Sequence, residues 1–285
     1  MEIFVSSSCV RAKTINESVA ILAQEGLTNI ELSGGTKYYD NYLKDLLVLQ
    51  DEYELNYRVH NYFPPPLESF MLNLASLNDD LYKQSIDQCK RAIASCKKLG
   101  SRKYAVHAGF LIDFLPKEAG TKIGFRPVND RKVALNRFCE AWKILVDEAG
   151  SDVKLYIENN AFSKTNSTTY NKINPFMLTD YESYLELNER IDFNILLDLA
   201  HLKVSTSSLG LNFDEQAMML ISQTDYMHVS GNDGLHDQNQ SLSEDTEIMN
   251  ILKRTDLSDK TLTLEVYNGI RSIMESLKSL EQMGG

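Results

Sequence analysis

Four side chains in the second half of the chain could together hold a divalent cation, although they are well separated in sequence. Each lies at the end of a short apolar or β-branched run, and the four residues are Glu158, Asp198, His228 and Glu265. Carboxylates held together repel one another, and a divalent cation relieves that repulsion. Three oxygen donors and one imidazole suit Mn²⁺, Co²⁺, Mg²⁺ or Zn²⁺. The pattern predicts one bound divalent metal ion, provided that the fold brings the four runs together.

The histidines follow the same rule of placement. All five lie at or just after the end of such a run, and they are His60, His107, His201, His228 and His236. A single glutamate at such a position could merely pair with a lysine, and a single histidine could be an ordinary core residue. The combination of four candidate ligands favours a metal site over that plainer interpretation.

Eight short runs must position these side chains, and they alternate with longer segments of helical period. They span residues 2–8, 29–35, 56–62, 103–109, 154–160, 193–201, 226–232 and 262–268. The helix candidates 15–26 and 81–100 each end on a glycine, a common helix stop. Strands alternating with helices predict βαβ units and a parallel sheet.

Eight such units predict an α/β chain folded as a single (β/α)8 TIM-barrel domain over residues 1–285, with the active site at the C-terminal ends of the strands. An open, doubly wound sheet is the alternative. It is disfavoured because the segment at the end of the first run, SSSCVRAK, is not a GxGxxG fingerprint.

Composition narrows the class of partner. The chain has 285 residues and a formal net charge of −11, and an acidic surface disfavours binding to nucleic acid. Its four cysteines form no CxxC pair, which fits a reducing compartment. The N-terminus has no basic segment before its apolar run, so we expect no signal peptide and a cytoplasmic protein. Homo-oligomerisation is left open.

The last four runs carry a resemblance to a known family. KLYIENN, LLDLAH, MHVSGNDGLHDQNQSL and TLEVYN resemble the final strands of the xylose isomerase-like superfamily of sugar phosphate isomerases and epimerases, and GLTNIELSGG resembles its second strand. The apurinic endonucleases of the endonuclease-four type share that superfamily. The resemblance covers essentially the whole chain and rests on Glu, then Asp-x-x-His, then His, then Glu, each at a strand end.

The resemblance implies a function and roles for the residues. It implies a metal-dependent isomerase or epimerase of carbohydrate metabolism, acting on a small sugar or sugar phosphate. The metal ligands would be Glu158, Asp198, His228 and Glu265, and the two glutamates would move a proton through an enediolate. Substrate oxygens would be bound by residues from the set His60, His107, His201, Asn160, Asp237 and Lys203. A hydride-shift mechanism would instead need a second metal near His60 and His107.

The endonuclease alternative also has support, because His60, His107 and Glu158 match a further zinc site of those enzymes. Their third zinc needs His201 and an Asp-x-His motif, which here reads Asp237-Gln238-Asn239. Asparagine is a poor zinc ligand, so the sugar-converting function is favoured. A non-catalytic sugar-binding barrel is the third alternative, and the intact ligand set argues against it.

Three further expectations concern a missing family aspartate, the residues that could bind a phosphate group, and a buried arginine. Family members often carry an aspartate three residues after the metal histidine, where this chain has Gly231. If the substrate carries phosphate, the candidate basic residues are Lys122, Arg126, Lys164 and Lys203. Arg58 shares the pleat parity of His60 and is expected to point into the barrel and to pair with a carboxylate such as Glu31.

Overall fold

Eight parallel strands close into a barrel in the computed structural model, which describes residues 1–243 and 246–283. Each strand pairs with its neighbours in chain order, and β8 pairs with β1. Each of the eight predicted runs overlaps one strand, so the predicted (β/α)8 fold is confirmed. The strands are β1 (Glu2–Ser6), β2 (Asn29–Leu32), β3 (Asn56–His60), β4 (Lys103–His107), β5 (Lys154–Glu158), β6 (Asn194–Asp198), β7 (Tyr226–Val229) and β8 (Thr261–Leu264).

Helices connect the strands and cover the outside of the barrel. They are α1 (Ile15–Gln24), α2 (Tyr42–Tyr53), α3 (Asp79–Leu99), α4 (Arg131–Ala149), α5 (Lys164–Thr169), α6 (Tyr181–Asn188), α7 (Leu199–Leu209), α8 (Phe213–Ile221), α9 (Glu247–Leu252) and α10 (Ile270–Glu281). The long helix α3 is capped at its start by Asn78, whose side chain accepts hydrogen bonds from the first turn, and at its end by Gly100 in a left-handed conformation. No helix in the described part of the chain is both long and apolar enough to cross a membrane.

An apolar layer inside the barrel supports the polar mouth. It consists of one inward-facing side chain from each of four consecutive strands, Ala105, Tyr156, Leu196 and Tyr226. Successive residues of a strand alternate between its two faces. The residues two positions later therefore share the inward face, one layer nearer the mouth, and they are His107, Glu158, Asp198 and His228.

Arg58 lies inside the barrel as its parity predicts, but its predicted pairing with Glu31 is wrong. Its Nη2 atom is 2.9 Å from Oε2 of Glu2, and its guanidinium lies 4.5 Å from the ring centroid of Phe4. Glu31 instead faces His228. Strand parity predicts the face on which a side chain lies, whereas the partner also depends on the depth to which a long side chain reaches.

Candidate metal centre at the carboxyl end of the barrel

The four predicted ligands come from the carboxyl ends of β5, β6, β7 and β8, and all are buried. The parallel register places Asp198 directly beside His228 and Glu158 directly beside His107. Glu265 directly follows β8, and its N–H donates to the carbonyl of Val229. The barrel thus brings side chains that are up to 107 residues apart in sequence, from 158 to 265, to one face.

His228 lies between two of the predicted carboxylate ligands. Its Nδ1 atom is 3.6 Å from Oε1 of Glu158 and 3.6 Å from Oε2 of Glu265. Its other ring nitrogen, Nε2, is 2.9 Å from Oε1 of Glu31, but neither of these two atoms makes a hydrogen bond. One edge of the imidazole therefore faces the predicted metal ligands, and the other faces β2.

Asp198 lies at the edge of this cluster. Its Oδ1 atom accepts a hydrogen bond from the N–H of His201 and so caps α7, while Oδ2 is 3.7 Å from Nε2 of His201. Burial raises the pKa of this carboxyl to about 7. The described residues contain three compact groups of potential ligands, and Asp198 belongs to none of them: His60 with Glu158 and His228, His107 with Glu158 and His201, and Glu31 with His228 and Glu265.

The donor atoms of this cluster fit a divalent cation. Among the described residues, the buried atoms at the mouth without a hydrogen-bond partner include Oε1 of Glu158, Oδ2 of Asp198 and both ring nitrogens of His228, and also Oε1 of Glu31, Nδ1 of His107 and Oδ1 of Asp237. A buried polar atom without a partner costs free energy. A cation held by Glu158, Asp198, His228 and Glu265 would remove that cost at the first three residues, and this ligand set remains a prediction.

Glu158 is the centre of the histidine cluster. Its Oε2 atom is 2.6 Å from Nε2 of His60 and 3.3 Å from Nε2 of His107. Burial opposes ionisation, but His107 and His60 outweigh it and hold the pKa of this carboxyl well below its usual range. The same burial lowers the pKa of His107 to about 4. Glu158 is therefore a carboxylate in the folded protein.

His201 is oriented by the end of the neighbouring strand β5. Its Nδ1 atom is 2.9 Å from the carbonyl oxygen of Asn159, and its Nε2 atom is 3.3 Å from Oδ2 of Asp237. Burial disfavours the charged ring, but Asp198 and Asp237 raise its pKa well above the ordinary value. Asn239 follows in a left-handed backbone conformation and lines the same cavity as His201 and Asp237.

Three further polar residues after the strand ends have structural partners. The Asn160 amide donates to the carbonyls of Ala108, Gly109 and Met177. Lys203 donates to the carbonyl of Asn232 and pairs with Glu247 at 3.0 Å. His236 points to solvent and lies 3.1 Å from Asp233. The substrate-binding roles predicted for Asn160 and Lys203 remain predictions.

Two cavities meet at the mouth and share Asn61, Tyr62, His107, His201 and Asp237. The first, about 210 Å³, extends under the loops after β4 and β5. These loops are joined by an antiparallel bridge between Phe110 and Phe176. Its apolar wall is formed mainly by Met71, Phe110, Phe114, Ile123 and Phe176.

The candidate phosphate-binding residues line neither of these two cavities. Arg126 is held by Glu118, with guanidinium-to-carboxylate distances of 3.1 and 2.6 Å. Lys203 pairs with Glu247, and Lys122 and Lys164 are exposed. Among the described residues, Arg11 is the basic side chain that lines the second cavity.

Gly231 has a definite structural role. Its N–H donates to the carbonyl of Gln240, and the N–H of Gln240 donates back to its carbonyl. A Cβ atom at this position would lie 2.6 Å from the carbonyl oxygen of Ser241. Asn232 and Asp233, which could have replaced the family aspartate, use their side chains to hold the loop that follows. The family aspartate is therefore incompatible with this backbone.

Glu31 was not predicted as part of the site. It is fully buried on β2, contacts His228, and accepts a hydrogen bond from Thr263. The sequence did contain one indication that Glu31 belongs to the site, which is that it is a charged residue inside the apolar run NIEL. That charge was expected to pair with Arg58, whose side chain instead runs toward the opposite end of the barrel.

Comparisons with known proteins agree with this fold. A family model described as a xylose isomerase-like TIM barrel matches residues 19–283. A D-tagatose 3-epimerase-like protein has a TM-score of 0.73 and 21% identity, covering 99% of this chain and 97% of that chain. D-psicose 3-epimerase from Clostridium cellulolyticum, solved with D-tagatose, has a TM-score of 0.68 and 12% identity, covering 100% and 98%.

Endonuclease IV from Thermus thermophilus is also similar, with a TM-score of 0.63 and 16% identity over 99% of this chain and 98% of that chain. At these identities the likeness shows the fold alone. The chain matches no curated protein sequence significantly.

Proposed function

This chain belongs to the xylose isomerase-like TIM barrel family, and we propose that it is a divalent-metal-dependent sugar isomerase or epimerase. The observation that carries the proposal is the group of buried donor atoms without partners on Glu158, Asp198 and His228, beside Glu265. The sugar epimerases among the similar structures add support for this reaction class.

In this proposal Glu158, Asp198, His228 and Glu265 hold the ion. A bound divalent cation would polarise the sugar carbonyl and favour the enediolate. Glu158 and Glu265 would move the proton between the two faces of the sugar. Despite their burial, nearby histidines keep both ionised, with the pKa of Glu265 lowered to about 2. An ionised carboxylate can accept a proton from the α-carbon.

Hydrogen-bonding groups around the ligands would hold the sugar. His201 has Nδ1 directed at the carbonyl of Asn159, which leaves Nε2 and the neighbouring Asp237 for substrate oxygens. His107 faces the cavity from the other side and is neutral at physiological pH, since its pKa is about 4. If the reaction proceeds by hydride shift, His60 and His107 would supply the ligands of a second metal.

We further propose an uncharged sugar over a sugar phosphate. The cavity beside Asn160 and His201 ends in the phenylalanine wall described above, the candidate cations are either paired with carboxylates or exposed, and Arg11 lines only the second cavity. Burying a phosphate against aromatic rings without a cation would cost several kcal/mol. The carbon chain of a neutral sugar can pack there without that cost.

Deuterium exchange tests the reaction class. Mn²⁺- or Co²⁺-loaded protein would be incubated in D₂O with free ketoses and aldoses and with their phosphates, and ¹H NMR would follow the α-carbon. We expect exchange and product with a free sugar, and loss of both in Glu158→Gln. Glu52→Gln, an exposed change on α2, is the control.

The alternative reaction is tested with the same preparation. Duplex DNA that contains an abasic site should remain intact. Asn239 stands where the endonucleases have a histidine ligand of their third zinc ion, and the net charge of −11 disfavours binding to DNA. Metal-dependent nicking that disappears in Glu158→Gln would establish the endonuclease instead.

A further inference from the structure

We propose that the substrate is a sugar that carries an apolar substituent on an oxygen remote from the reacting carbonyl, and that a third cavity beside the mouth binds this substituent. The proposal rests on the proposed function, because it requires a sugar held at the candidate metal centre. The third cavity has a volume of about 590 Å³ and lies between the loops that follow β2 and β3. Pro116 and Ala119, from the loop after β4, also line it.

The third cavity adjoins both cavities of the mouth. It shares Tyr62, Met71 and Ala119 with the first cavity. It shares Tyr62 and residues 34–36 with the second. Tyr62 therefore lines all three and lies where they meet. Within the described chain no predicted metal ligand lines the third cavity, so a bound sugar would reach it only through a group that extends past Tyr62.

The side chain of Tyr62 is held firmly at this junction. Its hydroxyl accepts a hydrogen bond from the N–H of Leu72 at 2.6 Å and donates one to Sδ of Met71 at 3.4 Å. Its ring meets that of Phe70 edge to face, with 6.2 Å between the centroids. A Cβ atom on Gly34 would lie 2.9 Å from Cβ of Tyr62, so a glycine is needed for this close approach. An aromatic wall fixed in this way loses little conformational entropy when a ligand packs against it.

The walls of the third cavity favour an apolar group over a second sugar ring. They are formed mainly by Tyr38, Pro65, Pro66, Leu67, Phe70 and Pro116. Proline has no backbone N–H, so three of these residues offer no main-chain donor. A sugar ring that left water here would lose hydrogen bonds without replacing them, which costs free energy. An aromatic or alkyl group needs no such partner.

Charge gives the same answer. Among the described residues, the charged side chain that lines the third cavity is Lys37, which is exposed. An ionised group bound inside the cavity would therefore have no buried partner. The substituent is accordingly uncharged, in agreement with the uncharged sugar proposed above.

The exposure of Leu67 also indicates that a ligand covers this surface. Its side chain is 81% exposed, the largest fraction for a large apolar residue in the described part of the chain. Single exposed leucines are ordinary, but this one lines the same cavity as Pro65, Pro66 and Phe70. Contiguous apolar surface beside a polar site is typical of a ligand-binding groove.

The test compares sugars that share the carbonyl end and differ at the terminal oxygen. The probes are the free D-ketohexoses, their benzyl ethers at the terminal oxygen, and their glucosyl derivatives at the same oxygen. Calorimetric titration of Mn²⁺-loaded protein measures the Kd of each. We expect one benzyl ether to bind roughly tenfold or more tightly than its parent sugar, because the third cavity removes the aromatic ring from water. The glucosyl derivative should gain much less.

Three variants locate the effect. Ser69 is exposed and lines the third cavity, so the side chain introduced by Ser69→Trp would occupy the space of the substituent. The ratio of the affinities for the benzyl ether and the free sugar should then fall to near unity. Leu67→Ala should lower the ratio less. Leu211→Ala removes an exposed leucine outside all three cavities, and this matched control should keep the wild-type ratio. Circular dichroism verifies that each variant is folded.

Each result has a definite meaning. Equal affinity of wild type for free and benzylated sugars, or no binding of the benzyl ethers, overturns the proposal. A preference that survives Ser69→Trp overturns it as well. An equal gain from the glucosyl derivative, lost in Ser69→Trp, would replace the apolar group by a second sugar. Binding needs no turnover, so the absence of deuterium exchange with every probe would reject the proposed reaction while the affinity ratio still decides whether the third cavity binds a substituent.

Discussion

At the amino-terminal end of the barrel, charged side chains form ordinary pairs, whereas at the carboxyl end they crowd around one residue. Below the apolar layer, Arg58 pairs with Glu2, and Lys103 and Lys154 lie 3.6 and 3.0 Å from Asp225. Above that layer, four histidines lie within 3.6 Å of Glu158.

These two arrangements of charge indicate different roles for the two ends of the barrel. A cation beside an anion near solvent is satisfied by its partner and adds modestly to stability. A buried cluster with unpartnered donor atoms is unfavourable by itself and is retained where a ligand completes it. In barrel enzymes the carboxyl face carries function and the opposite face carries stability, and the two charge patterns follow that division.

The largest expected effect comes from the base at the carboxyl end. Glu265→Gln keeps the size and one potential ligand oxygen but removes the group that would accept the proton. We expect turnover to fall by about 10²–10⁴-fold with a smaller change in substrate binding. Steady-state kinetics on the sugar found by exchange measures this. Glu2→Gln, at the opposite end, is the control, and full activity in Glu265→Gln would reject the acid/base assignment.

The next effect is on metal binding. Asp198→Ala removes a carboxylate whose Oδ2 atom is buried and unpartnered. Affinity for Mn²⁺ or Co²⁺ should fall more than about 100-fold, since even the loss of an outer partner costs roughly 10–100-fold. Elemental analysis and calorimetric titration would show it, and unchanged binding would remove Asp198 from the ligand set.

A pH dependence of stability should distinguish the two ends. The pKa of Asp198 is raised from its ordinary value of 3.8 to about 7, so the folded metal-free protein holds a proton that the unfolded chain releases between these values. Stability from this group is full below about pH 4 and is lost as the pH rises toward 7. Asp198→Asn cannot ionise, so without metal it should be more stable than wild type at pH 8, by a few kcal/mol at most.

Urea unfolding at pH 4, 6 and 8 in the presence of a chelator measures that difference. The gap between Asp198→Asn and wild type should widen with pH. A constant gap would mean that Asp198 is already ionised throughout this range.

The smallest effect is expected at the amino-terminal end. Arg58→Met removes an ion pair with a largely exposed glutamate and a cation–π contact with Phe4. We expect a loss of about 1–2 kcal/mol in the free energy of unfolding, with metal affinity unchanged. A loss of metal binding in this variant would show that the two ends are coupled through the apolar layer.

The eight strands could be predicted from the sequence because buried parallel strands are short apolar runs with polar ends. Strand order then brings Glu158, Asp198, His228 and Glu265 to one face without further information. Glu31 could not be placed in this way. Its contact with His228 runs between strands that are far apart in sequence, and it depends on closure through β1 and β8.

The depth to which a side chain reaches inside the barrel could not be predicted from the sequence either. Arg58 and Glu31 are direct neighbours in the register of β2 and β3, and their opposite charges suggested a pair. The long side chain of Arg58 instead reaches the lower layer, and the shorter Glu31 remains near the mouth. The partners of both residues therefore follow from side-chain length within the barrel, which strand parity does not contain.

The close approach at Gly231 has a consequence for anyone who wishes to alter this protein. The loop from 230 to 241 is closed by the bridge between Gly231 and Gln240, at the point where a side chain on residue 231 would have to fit. Grafting the aspartate of a relative into this position by one substitution should fail, whatever the rest of the pocket offers. An aspartate at this position would therefore require a different backbone path for the whole loop and not one changed residue.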